Sequence, residues 1–367
     1  MSEQNVSRRA FVGVAAAGIL AAQSPNDTVR LAHTGVGNRG SFLLSNTKKV
    51  PGVKVVAVCD IDPKARDRAA TSAGEGGNPV RSFDDHRRML DEMKDIDAVV
   101  VATPTDTHKD LVIAALQAGK HVYSEKPMAL NPEECREIYN AAKSATGIYQ
   151  AGFQLRHDPR RRASMEFIQK GGIGKVLFAQ GYRHTGDLPR GTAWYFNASR
   201  SGDNIVEQAC HILDLFTWAI DKAPLRAMGS GGINLYKNIP PGRTTMDNYS
   251  VIYEFPDDVR LTFSHIYFDP QGFSGIKERV FGEKGAVDLA AAKWRELEKR
   301  GVDLEIPVPD AGQSGDYLSL AAFIDNIRNK RKPLNDVESA RRSTLMAMLG
   351  RKAIYEKRIV EWKEVDV

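Results

Sequence analysis

VRLAHTGVGNRG, residues Val29 to Gly40, decides the fold of this chain. An apolar run from Val29 to His33 feeds directly into Gly35-x-Gly37-x-x-Gly40, and Ser41 to Thr47 read as the first turns of a helix. Each glycine has its own reason: the chain must turn tightly at Gly35, let a diphosphate approach the backbone at Gly37, and pack helix against strand at Gly40. The helix N-terminus then offers free N–H groups and a partial positive charge to phosphate, with Asn38 and Arg39 counted among the cofactor-binding residues. A glycine turn by itself is weak evidence, but a second apolar run, Val53 to Cys59, ends in Asp60, twenty residues beyond Gly40. A carboxylate at that place accepts both ribose hydroxyls of NAD. Asp60, with Asp62 beside it, would repel the 2′-phosphate of NADP, so NAD is the expected cofactor, and Arg39 leaves NADP as the second choice.

With 367 residues and 42% hydrophobic content, the chain can bury a sizeable core and has room for two domains. Its 51 basic and 46 acidic residues leave a net charge of +5, spread along the sequence. The basic clusters at Arg160–Arg162 and Arg328–Lys332 lack interleaved aromatics and read as solvated helix faces, so no nucleic-acid partner is expected. The N-terminus is different. Ser7-Arg8-Arg9-Ala10-Phe11 precedes an alanine-rich apolar run, Val12 to Ala22, too short to span a bilayer and closed by small residues. Residues 1–25 are therefore expected to be a twin-arginine signal read by the Tat export machinery, either cleaved near Ala22 or kept as an anchor. Dinucleotide is not available outside the cytoplasm, so a periplasmic nicotinamide protein must fold around its cofactor before leaving, and this route carries folded proteins. Cys59, Cys135 and Cys210 are odd in number and widely spaced, and read as core residues rather than a disulfide framework.

From 26 to about 152 strands and helices alternate, which implies an α/β unit, a doubly wound parallel sheet. Ligands in such sheets sit beyond the carboxyl ends of the strands, where Gly35, Asp60, Thr103 and Lys126 all fall. From 153 to 335 the rhythm changes to an α+β pattern: helices near Arg161–Gln169 and Ile205–Ile220, then strand-like runs joined by the turn Pro256-Asp257-Asp258. This reads as a mostly antiparallel sheet with helices on one face. Residues 336–367 read as a C-terminal helix and tail that pack back on the body.

Two constellations could carry chemistry. Lys126 stands at a strand end between Glu125 and Pro127, aimed at the crevice, where an ammonium could stabilise an alkoxide or polarise a carbonyl. In Glu207-Gln208-Ala209-Cys210-His211-Ile212-Leu213-Asp214, a continuous helix would put Glu207 and His211 at i and i+4, on one face with Asp214. With no further His or Cys nearby, these do not make a metal site. Trp194-Tyr195 could offer a flat surface to a sugar ring.

Gly35-Val36-Gly37-Asn38-Arg39-Gly40, Cys59-Asp60, Ala102-Thr103-Pro104 with His108, Glu125-Lys126-Pro127 and His211-x-x-Asp214 together resemble the Gfo/Idh/MocA oxidoreductases. The resemblance covers almost everything after residue 25. It implies a Rossmann domain followed by an open-faced antiparallel sheet domain, oxidation or reduction of a sugar or cyclitol, and homodimers or homotetramers built through the sheet face. It places the family's lysine on Lys126 and its histidine on His211, and adds Thr103, Pro104, His108 and Glu125 to the cofactor side. Gln154, Arg156 and His157 resemble the passage into the substrate domain and would line the cleft with Asp214. The sequence departs from the family in one respect, carrying Glu207 where an aspartate is usual four residues before the histidine. On this reading His211 takes a hydroxyl proton, Lys126 stabilises the developing charge and Glu207 orients His211 or relays its proton. Two alternatives remain open: an NAD-dependent glycosidase or lyase working by transient sugar oxidation and elimination, and a non-catalytic sugar- or dinucleotide-binding module.

Overall fold

Short apolar runs become parallel strands in the first half of the computed structural model, which describes residues 28–74, 77, 80–188, 192–270, 275–309 and 312–367. The expected export signal lies outside the described residues. β1 (Val29–Thr34), β2 (Val53–Cys59), β3 (Arg81–Phe83), β4 (Ala98–Val101), β5 (His121–Ser124) and β6 (Tyr149–Ala151) form one sheet in the order β3-β2-β1-β4-β5-β6. Every pairing in it is parallel. Ala98 to Val101 are buried without exception, as expected of a strand covered on both faces. The crossovers are α1 (Asn38–Thr47), α2 (Pro63–Gly74), α3 (His86–Glu92), α4 (His108–Gln117) and α5 (Pro132–Ser144). Strand order reverses between β1 and β4, which opens the crevice where such sheets bind ligands.

The second sheet runs β14-β13-β12-β11-β7-β10-β9-β8-β15. Its strands are β7 (Val176–His184), β8 (Arg226–Gly232), β9 (Asn248–Glu254), β10 (Arg260–Ile266), β11 (Gly275–Gly282), β12 (Gly285–Asp288), β13 (Lys293–Glu296), β14 (Leu304–Glu305) and β15 (Val360–Glu361). All pairings are antiparallel except β7 with β10. Alternation sets the two faces. On β10, Leu261, Phe263 and His265 are buried while Arg260, Thr262, Ser264 and Ile266 turn the other way. The buried face is covered by α6 (Pro159–Gln169), α8 (Asp203–Glu207), α9 (Cys210–Ile220) and α11 (Val337–Glu356), with α7 (Ala198–Ser201) packed beside α8. A Cβ added at Gly181 would come 2.7 Å from the Phe216 ring, so glycine lets α9 lie close on β7.

Two expectations change here. The helix read from Ile205 to Ile220 is broken: Gln208 and Ala209 N–H groups both donate to Asn204 O, at 2.9 and 3.0 Å, so one residue bulges and the helix restarts at Cys210. Asp203 anchors the start of α8, accepting from the Tyr355 hydroxyl at 2.6 Å and the Met246 N–H at 3.1 Å. The other change concerns α10 (Gly315–Asn329), read as part of the second domain. Its Leu320, Phe323 and Ile324 pack on Leu31, Val100 and Tyr123, closing one face of the first sheet. Among the described residues no helix is long and apolar enough to cross a membrane.

Candidate active site

At the glycine turn, Gly35 has φ +79°, and a Cβ there would come 2.7 Å from Ala102 backbone and Thr103 Cγ2. A Cβ on Gly40 would come 1.9 Å from Gly35 O, so α1 sits hard against the turn. Gly37 differs: a Cβ there meets nothing within 4 Å. The space lies before the first turn of α1, which starts at Gly37 without a side-chain cap. Open space in front of uncapped helix N–H groups fits the diphosphate of a dinucleotide. Asp60 is half-buried at the end of β2 and braces the turn, its Oδ2 accepting from Val36 N–H at 2.7 Å and its Oδ1 from Asp62 N–H at 2.9 Å. Asp62 in turn accepts from Lys64 N–H at 3.0 Å, at the start of α2.

Arg39 does not wait beside Asp60 for a 2′-phosphate. Its guanidinium lies 2.7 Å from both Glu125 and Asp316, joining the glycine turn, the end of β5 and the start of α10. Glu125, 4% exposed, is thereby held under the crevice and belongs to its wall through Arg39. His108 is 1% exposed, its ring nitrogens 2.9 Å from Pro127 O and 3.0 Å from Thr103 O. It ties the Thr103-Pro104 loop to the turn after Lys126 and offers no edge to a ligand. Thr103 Oγ1 accepts from the Thr107 hydroxyl at 2.7 Å, which steadies the same loop.

Lys126 reaches across from β5 to the end of α8. Its Nζ donates to Glu207 Oε1 at 2.6 Å and Glu207 O at 2.7 Å, leaving one ammonium proton for the cleft. The second oxygen of Glu207 accepts from the Thr105 hydroxyl at 2.9 Å. Burial works to lower the Lys126 pKa, but Glu207, Cys210 and Glu125 outweigh it and hold the group above the ordinary lysine range. The ammonium is therefore charged at neutral pH. Glu207 thus grips Lys126 and makes no hydrogen bond to His211; the bulge at Gln208–Ala209 removes the i, i+4 geometry that would have joined them. The longer reach of glutamate is used toward β5. Thr105, two residues into the loop, carries no periodic or spacing signal in the sequence, so its part here emerges only from the folded chain.

His211 is held neutral. Burial is the main cause of a pKa well below the usual histidine range, and Lys126, Arg39, Arg183 and Arg161 add to it. Its Nδ1 is buried without a partner, and Phe153 packs edge-on against the ring at 6.3 Å. A neutral imidazole beside a charged ammonium can take a proton while the ammonium steadies an oxyanion.

Four expected substrate contacts lie elsewhere. Arg156 and Asp214, 4% and 0% exposed, face each other bidentately at 2.8 and 2.7 Å, and Ser343 donates to Asp214 at 2.6 Å. This cluster staples the turn after β6 to α9 and α11 below the cleft. His157 is 3% exposed and lowered to about 3 by burial, then by Arg162 and Arg156. Tyr195 is packed edge-on against Trp194 and Phe196, with its hydroxyl 3.2 Å from that of Tyr267, so its ring face is not free for a sugar. Gln154 and Trp194 are half-buried. The physical reason is common to the buried ones: polarity alone does not distinguish a residue that meets substrate from one whose partner arrives from distant sequence.

The buried histidines make stability depend on pH. His33 and His157 are both lowered to about 3, chiefly by burial, while an unfolded chain titrates them near 6.5. Below 6.5 the unfolded state binds more protons, so stability is lost as pH falls through that value toward 3. These two residues alone are expected to cost about 2 kcal/mol between pH 6 and pH 5. Melting temperatures measured at pH 8, 6 and 5 check this, and a curve flat down to pH 5 contradicts it.

Comparison with known proteins gives a consistent result. Residues 29–153 match the family described as GFO_IDH_MocA, oxidoreductase family, NAD-binding Rossmann fold, and residues 162–288 match its C-terminal domain. The chain is 32% identical over 271 residues to inositol 2-dehydrogenase 3 of Saccharopolyspora erythraea, covering 71% of this chain and 73% of that protein. It is 27% identical over 313 residues to the scyllo-inositol 2-dehydrogenase (NAD(+)) of Bacillus subtilis, covering 83% and 88%. Among solved structures, levoglucosan dehydrogenase in complex with NADH and levoglucosan has the same fold, with a TM-score of 0.80, 18% identity, and 91% and 99% of the two chains covered.

Proposed function

Because the chain belongs to the GFO/IDH/MocA oxidoreductase family, we propose that it uses NAD to oxidise a ring hydroxyl of a sugar or cyclitol in the cleft between its two sheets. The observation that carries this is the Lys126–Glu207 contact at 2.6 Å, which joins the two halves of the chain beside neutral His211. Gly35, Gly37, Gly40 and the N–H groups of Asn38 and Arg39 would hold the diphosphate, with Asp60 toward the adenosine ribose. Bound NAD supplies the hydride acceptor. The hydroxyl proton passes to His211, the C–H hydride leaves with its electron pair, and the free proton of Lys126 steadies the oxygen as it becomes a carbonyl. Glu207 and Thr105 position Lys126. The inositol dehydrogenases among the relatives support a polyhydroxylated ring as substrate.

The Arg8-Arg9 segment supports export with nucleotide already in place, and the second sheet supports assembly through its outer face, where Ile252 is 39% exposed. The test starts from protein purified from the periplasm without added cofactor, denatured, and its released nucleotide identified by mass. Close to stoichiometric NAD, followed by reduced-nicotinamide absorbance on adding sugars or cyclitols, is the expected result. Absence of nucleotide, together with no NAD binding on addition, overturns the reading.

A further inference from the structure

Four cations lie close enough to His211 to disfavour its protonation: Lys126, Arg39, Arg183 and Arg161. Three of them have carboxylates of their own. Lys126 is 2.6 Å from Glu207, Arg39 is 2.7 Å from Glu125 and Asp316, and Arg161 is 2.9 Å from Glu278. Arg183, near the end of β7, is half-buried and makes no ion pair among the described residues. Asp269, just beyond the end of β10, faces His184, at 3.8 Å from its Nδ1.

Arg183 nevertheless has a support built beneath it. One guanidinium N–H donates to His265 Nε2 at 3.2 Å. His265 is fully buried and kept neutral, by burial first and then by Arg183 and His184. A neutral ring accepting at Nε2 carries its proton on Nδ1, which then donates to the Tyr249 hydroxyl oxygen at 3.1 Å. Arg183, His265 and Tyr249 stand directly opposite one another on β7, β10 and β9, in one row on the helix-covered face. Phe216, five residues after His211 in α9, packs on Gly181, two before Arg183, so this row lies under the helix that carries His211.

A guanidinium oriented from behind by buried neutral groups, with its remaining N–H donors unclaimed by any acid, is arranged for a planar anion. We propose that the substrate is a sugar acid or cyclitol acid whose carboxylate seats on Arg183 while a ring hydroxyl reaches His211 and Lys126. The proposal rests on the oxidoreductase reading above and narrows its substrate class. It separates this chain from relatives named for inositol, which bears no charge.

The test uses NAD-loaded protein and a panel of hexuronates and aldonates, each paired with its neutral parent sugar, together with myo-inositol and hexose 6-phosphates. Turnover is followed by reduced-nicotinamide absorbance and binding by calorimetry. An acid is expected to exceed its neutral parent by about 100-fold in kcat/KM, in line with one charge-assisted pair. Arg183→Gln is expected to bring that ratio near one, chiefly through KM, with NAD content unchanged, and Arg183→Lys to restore part of it. Preference for hexose phosphates over carboxylates, equal use of acids and neutral parents, or no binding of any acid overturns the proposal. Neutral substrates turned over without preference would leave the oxidoreductase reading standing, whereas acids that bind through Arg183 but are never oxidised would overturn that reading alone.

Discussion

Lys126→Met is expected to lower kcat by about 1,000-fold or more while the bound nucleotide stays in place. On the proposed mechanism the ammonium is the charged group at the reacting oxygen, and its effect is confined to the transition state, where negative charge develops on that oxygen. Methionine keeps the length and loses the charge. The substitution also strands the Glu207 carboxylate, 7% exposed, with only the Thr105 hydroxyl as partner, so the single variant should melt earlier than the parent. Combining it with Glu207→Gln removes the stranded charge. The double variant is expected to recover melting temperature and remain as inactive as the single one. Single-turnover rates and released nucleotide by mass check both points; a kcat within tenfold of the parent would remove Lys126 from the chemistry.

The second large effect is on stability. Asp214→Ala leaves Arg156 charged and buried, with Leu334 O at 3.4 Å as its remaining hydrogen-bond acceptor, and is expected to cost about 3–5 kcal/mol. For a chain of this size that corresponds to a melting temperature lower by about 5 °C. Replacing both partners, Asp214→Leu with Arg156→Met, is expected to return most of the loss, because apolar groups of similar volume need no counter-charge there. The same variants separate a buried staple from a substrate contact. Where the protein remains folded, KM should stay within a few-fold of the parent; a large rise in KM without a change in melting temperature would return Asp214 to the cleft.

The two effects show where local pattern stops being informative. Glu207, His211 and Asp214 are spaced as one helical face, and each went to a different place: Glu207 to Lys126, His211 to the cleft, Asp214 to Arg156 and Ser343. Helical spacing assumes an unbroken ladder, and the bulge at Gln208–Ala209 is set by packing that no window of sequence contains. Arg39 shows the same limit. Its place after the glycine turn suggests phosphate, but Asp316, hundreds of residues away, takes one side of it.

What the sequence determined by itself was the fold class and the nucleotide turn with NAD as its cofactor. Those features are written locally: glycine where backbone must approach or turn, an acid at a strand end, apolar runs whose period sets strand or helix. Tertiary structure alone decided what each charged side chain does. A buried charge must find a partner, and Lys126, Arg39 and Arg156 each found theirs across the chain, which separated the groups left facing the cleft from those sealed beneath it.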